Sequence, residues 1–324
     1  MENTKDKIPK SKPLIAGHDY PRFYREFVRN FPDDSSCATY LEQLRWPNGF
    51  TCPTCNHVAE PSRQTRGRLV CRSCHHQTSV TSGTLFDKTR TSLTTWFEIA
   101  WHMTTAKNGL SAKTLERTIG IRYRVAWLIL QRYRVAMVRS ERKQLSGTIE
   151  VDESLLGGIK HGGKRGRGSK KSIIVIAVEV KEPKGFGRIR MRHITDASGS
   201  ELLPFICDVV ATGSVVQTDG WNGYNNLSTF EYEHQRTVLS STNDLAHVSM
   251  PGVHRIASLL KRWILGTHQG AVSAEHLQSY LEEFTFRFNR RTSLSRGLVF
   301  RRLIEQAVVT EPIIEAKVTH GYNW

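Results

Sequence analysis

Two CxxC pairs constrain this chain more than any other feature. Cys52-Pro53-Thr54-Cys55 and Cys71-Arg72-Ser73-Cys74 stand fifteen residues apart. A CxxC turn places two thiolates on one side of a tight loop. Two such knuckles complete a tetrahedral all-sulfur site that suits Zn²⁺ and closes it to reactive water. The gap between them fits a short hairpin, so the pattern predicts a zinc ribbon whose metal is structural. Two redox dithiols are disfavoured, because neither pair sits in a βαβ context. His57, His75 and His76 lie beside the knuckles but are not needed as ligands, and Cys37 and Cys207 read as isolated buried thiols.

Charge narrows the partner. Lys and Arg number 46 against 30 acids in 324 residues, a net charge of +16, while the apolar content of 39% is ordinary for a globular chain. Such a surplus favours a polyanion, most commonly nucleic acid. A basic membrane-surface protein is the rival, but no long basic amphipathic helix with flanking aromatics is evident. The longest strongly apolar run, Ile173 to Val178, is far short of the ~20 residues of a membrane span. The opening MENTKDKIPKSKP lacks a signal-peptide core, so a cytosolic, reducing location is expected, where cysteines serve as thiols or metal ligands.

The chain divides by pattern. Residues 1–24 read as a flexible polar arm, and 25–88 as the ribbon with a preceding helix at 34–45 capped by Asp33, Asp34 or Ser35. Residues 89–145 read as helical: Leu93 to Thr105, then a helix capped by Ser111, a turn at Gly120, and a third helix from about Arg122 to Arg142. Two helices joined by a short Gly-containing turn form a helix-turn-helix pattern. Arg122, Arg124, Arg132, Arg134, Arg139, Arg142 and Lys143 accompany the last helix, against the single acid Glu141. Groove recognition and a helical linker with a solvated basic face are both open readings. Residues 146–305 switch to strands at 148–152, 173–180 and 188–193, a helix at 200–210 and a strand at 215–218, which is a mixed α/β unit; 306–324 form a tail. Arg63, Arg66, Arg68 and Arg72 make the ribbon basic, and Lys160 to Lys171 carry six positive charges and four glycines. Each could touch DNA or remain a solvated surface.

Two carboxylates stand out by position. Asp152 ends a β-branched strand in TIEVDESLLGG, and Asp219 ends another in VVQTDGWNGY. Carboxylates at neighbouring strand ends can hold Mg²⁺, which takes oxygen ligands and keeps several waters. Aspartate at a strand end is also a common turn residue or cap. In PGVHRIASLLKRWILGTHQG, Ile256, Leu259, Leu260 and Trp263 make an apolar helical stripe, while His254 and Lys261 share the opposite face, two turns apart.

The order CPTC…CRSC, EVDESLLGG, QTDGWNGY and LLKRWILGTHQG…EHLQSYLEEFTFRFNRR resembles the bacterial insertion-sequence transposases of the ISXO type, over roughly residues 25 to 305. The resemblance implies a DDE-type core with the ribonuclease-H-like fold behind the zinc ribbon and helix-turn-helix-like segment. It makes Asp152 and Asp219 the first two metal-binding acids. The third position, seven residues before the characteristic Lys261, falls on His254, where the DDE pattern has an acid; members of this group vary there and His can occupy it, either as a ligand, for which imidazole suits Mn²⁺ better than Mg²⁺, or to position the attacking water or the scissile phosphate. Glu231, Glu233 and Glu275 are fallback third acids. Lys261 would contact a DNA phosphate or flanking base, and Arg287, Arg290 and Arg291 are left for phosphates, with Leu277, Tyr280, Leu281, Phe284 and Phe288 as core. The implied activity is metal-dependent cleavage at element ends and 3′-OH strand transfer into target DNA, by a homo-oligomer in the bacterial cytoplasm at the nucleoid. The alternative is an inactive or domesticated DNA-binding regulator.

Overall fold

The computed structural model describes residues 13–139, 141–157, 171–237 and 250–321. Helix α1 (Tyr24–Asn30) leads into α2 (Asp34–Arg45), whose first turn is closed by the Asp33 carboxylate accepting from Ser36 N at 2.8 Å. Three short antiparallel strands follow, β1 (Ser62–Gln64), β2 (Arg68–Val70) and β3 (Gln77–Ser79). Helices α3 (Leu93–Thr105) and α4 (Ala112–Ile119) begin at Ser92 and Ser111, whose hydroxyls accept from Thr95 N and Thr114 N. These hydroxyls satisfy amides that have no partner inside the helix. Gly120, at φ 71°, reverses the chain into α5 (Tyr123–Ala136). This last helix is shorter than the sequence pattern suggests. It stops at Ala136, and further on Leu145 lies alongside Val210, with Leu145 N donating to Val209 O at 2.8 Å.

The second half is built on a five-stranded sheet. β4 (Thr148–Leu156), β5 (Ser172–Val180) and β6 (Phe186–Ile194) form an antiparallel meander. After α6 (Gly199–Val209), β7 (Val215–Asp219) and β8 (Glu233–Thr237) add in parallel, giving the order β6-β5-β4-β7-β8. Alternate residues of the central strands serve opposite faces. Ile149, Val151, Val175 and Val216 pack under α6, whereas Ile174, Ile176 and Val178 pack against α7 (Pro251–His268) and α8 (Leu277–Phe288). Continuous apolar runs such as IIVIAV are what a strand covered on both faces requires.

Helix α9 (Arg296–Val309) was expected to end the sheet unit but leaves it. It returns to the first half, where Phe300 lies amid Phe27, Phe31, Phe97 and Trp101 at centroid distances of 5.5, 5.8, 5.8 and 5.7 Å. The arm is likewise not loose throughout. Tyr20 is buried, and a Cβ on Gly297 of α9 would meet the Pro21 carbonyl at 1.5 Å, so only glycine permits that approach. The supposed tail contributes Ala307, Val308 and Ile313 to the same core before α10 (Glu315–Thr319).

Candidate functional site

The four cysteines form twin turns. Cys52 N donates to His57 O and Asn56 N to Cys52 O; Cys71 N donates to His76 O and His75 N to Cys71 O, all at 3.0–3.1 Å. Asn56 and His75, each at φ 56°, turn the chain after the second cysteine of each knuckle. The sulfurs face one another, with Cys52–Cys74 at 3.6 Å and Cys55–Cys71 at 3.7 Å. Tetrahedral Zn–S bonds of about 2.3 Å require sulfurs about 3.8 Å apart, so the set fits zinc without rearrangement. Backbone amides favour thiolate at two positions: the Cys55 amide is the largest cause that pulls Cys52 down to about 6, and the Cys74 amide acts the same way on Cys71, whereas at Cys74 the His76 amide is outweighed by the neighbouring sulfurs and burial, which push that thiol up to about 12. Among the described residues this is the one group of three or more His, Cys, Asp or Glu whose ligand atoms lie within 4.8 Å of one another.

The two aspartates lie on adjacent parallel strands. The β4–β7 ladder pairs Thr148 with Val215, Ile149 with Val216 and Glu150 with Gln217. Extending that register two residues past the last paired position sets Asp152 opposite Asp219, on neighbouring strands that are spaced about 4.8 Å apart where they pair. Their face follows from alternation. Val151 and Val216 point into the α6 side, so Glu150, Asp152, Gln217 and Asp219 belong to the side covered by α7. Both aspartates are half-buried, and one oxygen of each is oriented by a backbone amide: Glu153 N on Asp152 at 2.7 Å and Trp221 N on Asp219 at 2.9 Å. The phenol of Tyr224 is buried beside this edge and bonded to Glu153 at 2.9 Å. Burial first, and then the charges of Glu153, Asp152 and Asp219, raise its pKa well above 10. The ligand atoms of Asp152, Asp219 and His254 are not gathered as closely as those of the cysteines.

Glu150 was missed by the sequence reading. Its buried carboxylate accepts from Val253 N at 2.9 Å, and the Gly252 amide also bonds to it. A strand carboxylate therefore caps the first turn of α7, where the helix dipole favours negative charge. A Cβ on Gly252 would lie 2.7 Å from Glu150 Oε2, so glycine is needed for this approach. Burial is the larger influence and raises the Glu150 pKa, against the lowering by the two amides. His254 follows directly, half-buried, one residue after the pinned amide. The signal was available: Glu150 lies two residues before Asp152 on a strand, hence on the same face. Lys261 is exposed further along α7, its pKa lowered by partial burial and then by the charge of Lys171. Of the expected α7 stripe, Ile256, Leu260 and Trp263 are buried; Leu259 is only partly so, and Val253 and Ala257 complete the face. Glu231 and Glu233 lie at the other end of the sheet, beside Gly213 and Val215.

Residues 144–289 match the ISXO2-like transposase domain, and residues 32–77 match the transposase zinc-ribbon domain. The chain belongs to the ISXO2-like transposases. A protein in transposable element ISH50 of Halobacterium salinarum is 26% identical over 283 residues, which is 80% of this chain and 92% of that protein. A transposase-like protein of Haemophilus influenzae is 26% identical over 116 residues, 36% of this chain and 93% of its own.

Several basic residues of the transposase are structural rather than free. Arg134 is buried, with Nε on Glu283 at 2.8 Å and its guanidinium 3.9 Å from the Tyr280 ring centroid, tying α5 to α8. Arg287 donates to the carbonyls of Ala106 and Lys107, Arg290 to Phe286 O, and Arg291 to the carbonyls of Phe186 and Gly187. The expectation that these three are left for phosphates is corrected: their guanidinium N–H groups donate to carbonyls at the end of α3, within α8 and at the start of β6. Arg63 bonds Glu42 of α2 at 2.7 Å and braces the ribbon, while Arg66, Arg68 and Arg72 are exposed. On α5, Arg122, Tyr123 and Arg124 are exposed at the N-terminus, the end that reads base edges in helix-turn-helix proteins. Cys37 is buried, which pushes its thiol up to about 12, but Cys207 is only half-buried. The segment Lys160 to Lys171, apart from Lys171, lies outside the described residues. No described helix is long and apolar enough to cross a membrane.

Proposed function

We propose that this transposase cuts phosphodiester bonds at element ends and joins the exposed 3′-OH to target DNA, with Asp152 and Asp219 as the metal-binding pair. The observation that carries the reading is their level placement on adjacent parallel strands, on the side covered by α7. Two partly exposed carboxylates suit Mg²⁺ or Mn²⁺, which leave coordination positions for water and phosphate oxygens. When bound, such an ion supplies Lewis acidity toward the scissile phosphate and a more acidic water. The chain's own residues fix the frame. Amides of Glu153 and Trp221 orient the two aspartates, Glu150 sets the height of α7, and His254 completes the ligand set or positions the attacking water. Lys261 holds a phosphate. Strand order β6-β5-β4-β7-β8, with three antiparallel strands followed by two parallel ones, supports a ribonuclease-H-like core. The ribbon and the exposed start of α5 bind element ends, as units distinct from the sheet, and a homo-oligomer acting at the nucleoid brings two ends together.

The test is a reaction of the full chain with duplex DNA carrying the element ends, target DNA and Mg²⁺ or Mn²⁺. The wild type should yield nicked ends and joined product. Asp152→Asn and Asp219→Asn should yield neither while retaining DNA binding. Binding without cutting by the wild type would make the protein a regulator, and cutting without joining would make it a nuclease.

A further inference from the structure

A second site lies on the other flank of α7. A cavity of about 830 Å³ opens between the C-terminal half of this helix, α8 and the loop after α3. That volume is in the range of small-ligand pockets, roughly 300–1,000 Å³. Its lining includes five basic side chains and no acid, so an anion is favoured. Arg287 and Arg291 are committed to carbonyls and build the wall; Lys107, Arg262 and Arg296 are exposed at the rim, with Arg296 Nη2 also donating to Arg291 O at 3.2 Å. The floor is aromatic: Phe284 and Phe288 stack at 6.1 Å with an interplanar angle of 18°, and Trp263 leans on Phe284 at 5.7 Å. Basic rims around aromatic platforms are how proteins hold unpaired nucleotides, with bases on rings and phosphates on cations. A duplex could use the rim but not the floor, because its bases are stacked inside.

We infer that this cavity binds an unpaired nucleotide of a DNA strand, the base against Phe284 and Phe288 and the flanking phosphates at Lys107, Arg262 and Arg296. The inference rests on DNA being the substrate of the proposed reaction and adds where a strand goes beyond the carboxylates. Arg262 follows His254 by eight residues, about 12 Å along the helix axis, on the order of three to four stacked nucleotide steps. Eight residues also turn the helix by about 80°, so a strand that leaves the aspartate edge and crosses α7 obliquely reaches the rim at Arg262, and a frayed or displaced nucleotide there is what the cavity holds.

Gly266 lines the cavity, and a Cβ there meets no atom within 4 Å, so Gly266→Trp adds bulk at the cavity wall without a clash at its Cβ. The experiment measures binding of the full chain to a labelled 12-nucleotide oligothymidylate and to a 12-base-pair duplex, by fluorescence anisotropy across a salt series. Gly266→Trp should weaken the single strand about tenfold or more and change the duplex less than about twofold, given typical stacking strengths. Arg262→Ala should lower the single-strand salt slope by about 0.7, one phosphate contact. Circular dichroism checks that both variants are folded, and Arg262→Ala decides the matter if Gly266→Trp is not. Unchanged single-strand affinity in a folded Gly266→Trp, or equal losses on both DNAs, would overturn the inference. Asp152→Asn should bind oligothymidylate normally, so loss of this site and loss of cleavage are separately visible.

Discussion

Glu150 offers the sharpest view of how the sheet positions α7. In Glu150→Ala the amides of Gly252 and Val253 lose their acceptor inside a buried helix start. Each unsatisfied buried donor costs about 1–3 kcal/mol, hence about 2–6 for the pair. Removing a desolvated carboxylate returns part of that, leaving a net loss of about 3 kcal/mol. Glu150→Gln keeps a carbonyl oxygen for at least one amide and should lose about 1 kcal/mol near pH 4.5. The pH dependence has a definite sign. Burial raises the folded pKa above the unfolded value, so Glu150 contributes most below the unfolded value, about 4.3, and that contribution is lost as pH rises through the folded value. The difference between Glu150→Gln and the wild type should therefore shift in favour of the variant between pH 4.5 and 7.5. Urea midpoints followed by tryptophan fluorescence measure this, and hydrogen exchange of peptides covering residues 250–260 reads the helix start directly. Unchanged exchange protection in Glu150→Ala would refute the capping argument. Gly252→Ala, which drives a methyl to 2.7 Å from the carboxylate, should expose the same peptide while leaving residues 263–268 protected.

Cys55→Ser should lose about one zinc per chain by elemental analysis and unfold β1–β3, since structural zinc is folding free energy; retention of full zinc occupancy would exclude the four-sulfur site. Arg134→Met should destabilise by up to about 3–5 kcal/mol because it leaves the buried Glu283 with only the 3.7 Å pair to Arg287, and adding Glu283→Leu should restore part of that loss in denaturation midpoints. His254→Glu should support strand transfer with Mg²⁺ at a level at least comparable to Mn²⁺, whereas His254→Ala should fall by about 10²-fold or more with either ion if the imidazole is a ligand or water-positioning group; full activity of His254→Ala would remove it from the site.

The local features of the fold were legible because their causes are local. The knuckle spacing, the Ser111 cap, the Gly120 turn and the strands around Ile149 and Ile174 need only neighbouring residues to specify them. Asp219 was legible as a strand-end acid, but Asp152, expected to end its strand, lies in the middle of β4, which runs on to Leu156 because it stays paired with β5; the register the two share is a property of the β4–β7 pairing, which joins segments 67 positions apart. What failed was non-local. Arg287, Arg290 and Arg291 look like phosphate ligands in a basic motif, yet carbonyls from Ala106, Phe186 and Gly187 claim two of them across the fold. Arg134 has the same periodicity as an exposed helix residue and is neutralised by Glu283, 149 positions later. Helix α9 has an amphipathic pattern that fits either half, and Phe300 joins the first because four aromatic rings there leave a place for it.

The proposed chemistry requires Asp152 and Asp219 to share a divalent ion. Crystals of the full chain grown with Mn²⁺, with diffraction recorded at the manganese absorption edge, locate that ion independently of any activity. The anomalous peak should lie between the two carboxylates on the α7 side of the sheet, with oxygen distances near the ~2.1–2.2 Å of such ions, and should vanish in Asp152→Asn. A peak elsewhere, or one that persists in Asp152→Asn and Asp219→Asn alike, would contradict the assignment.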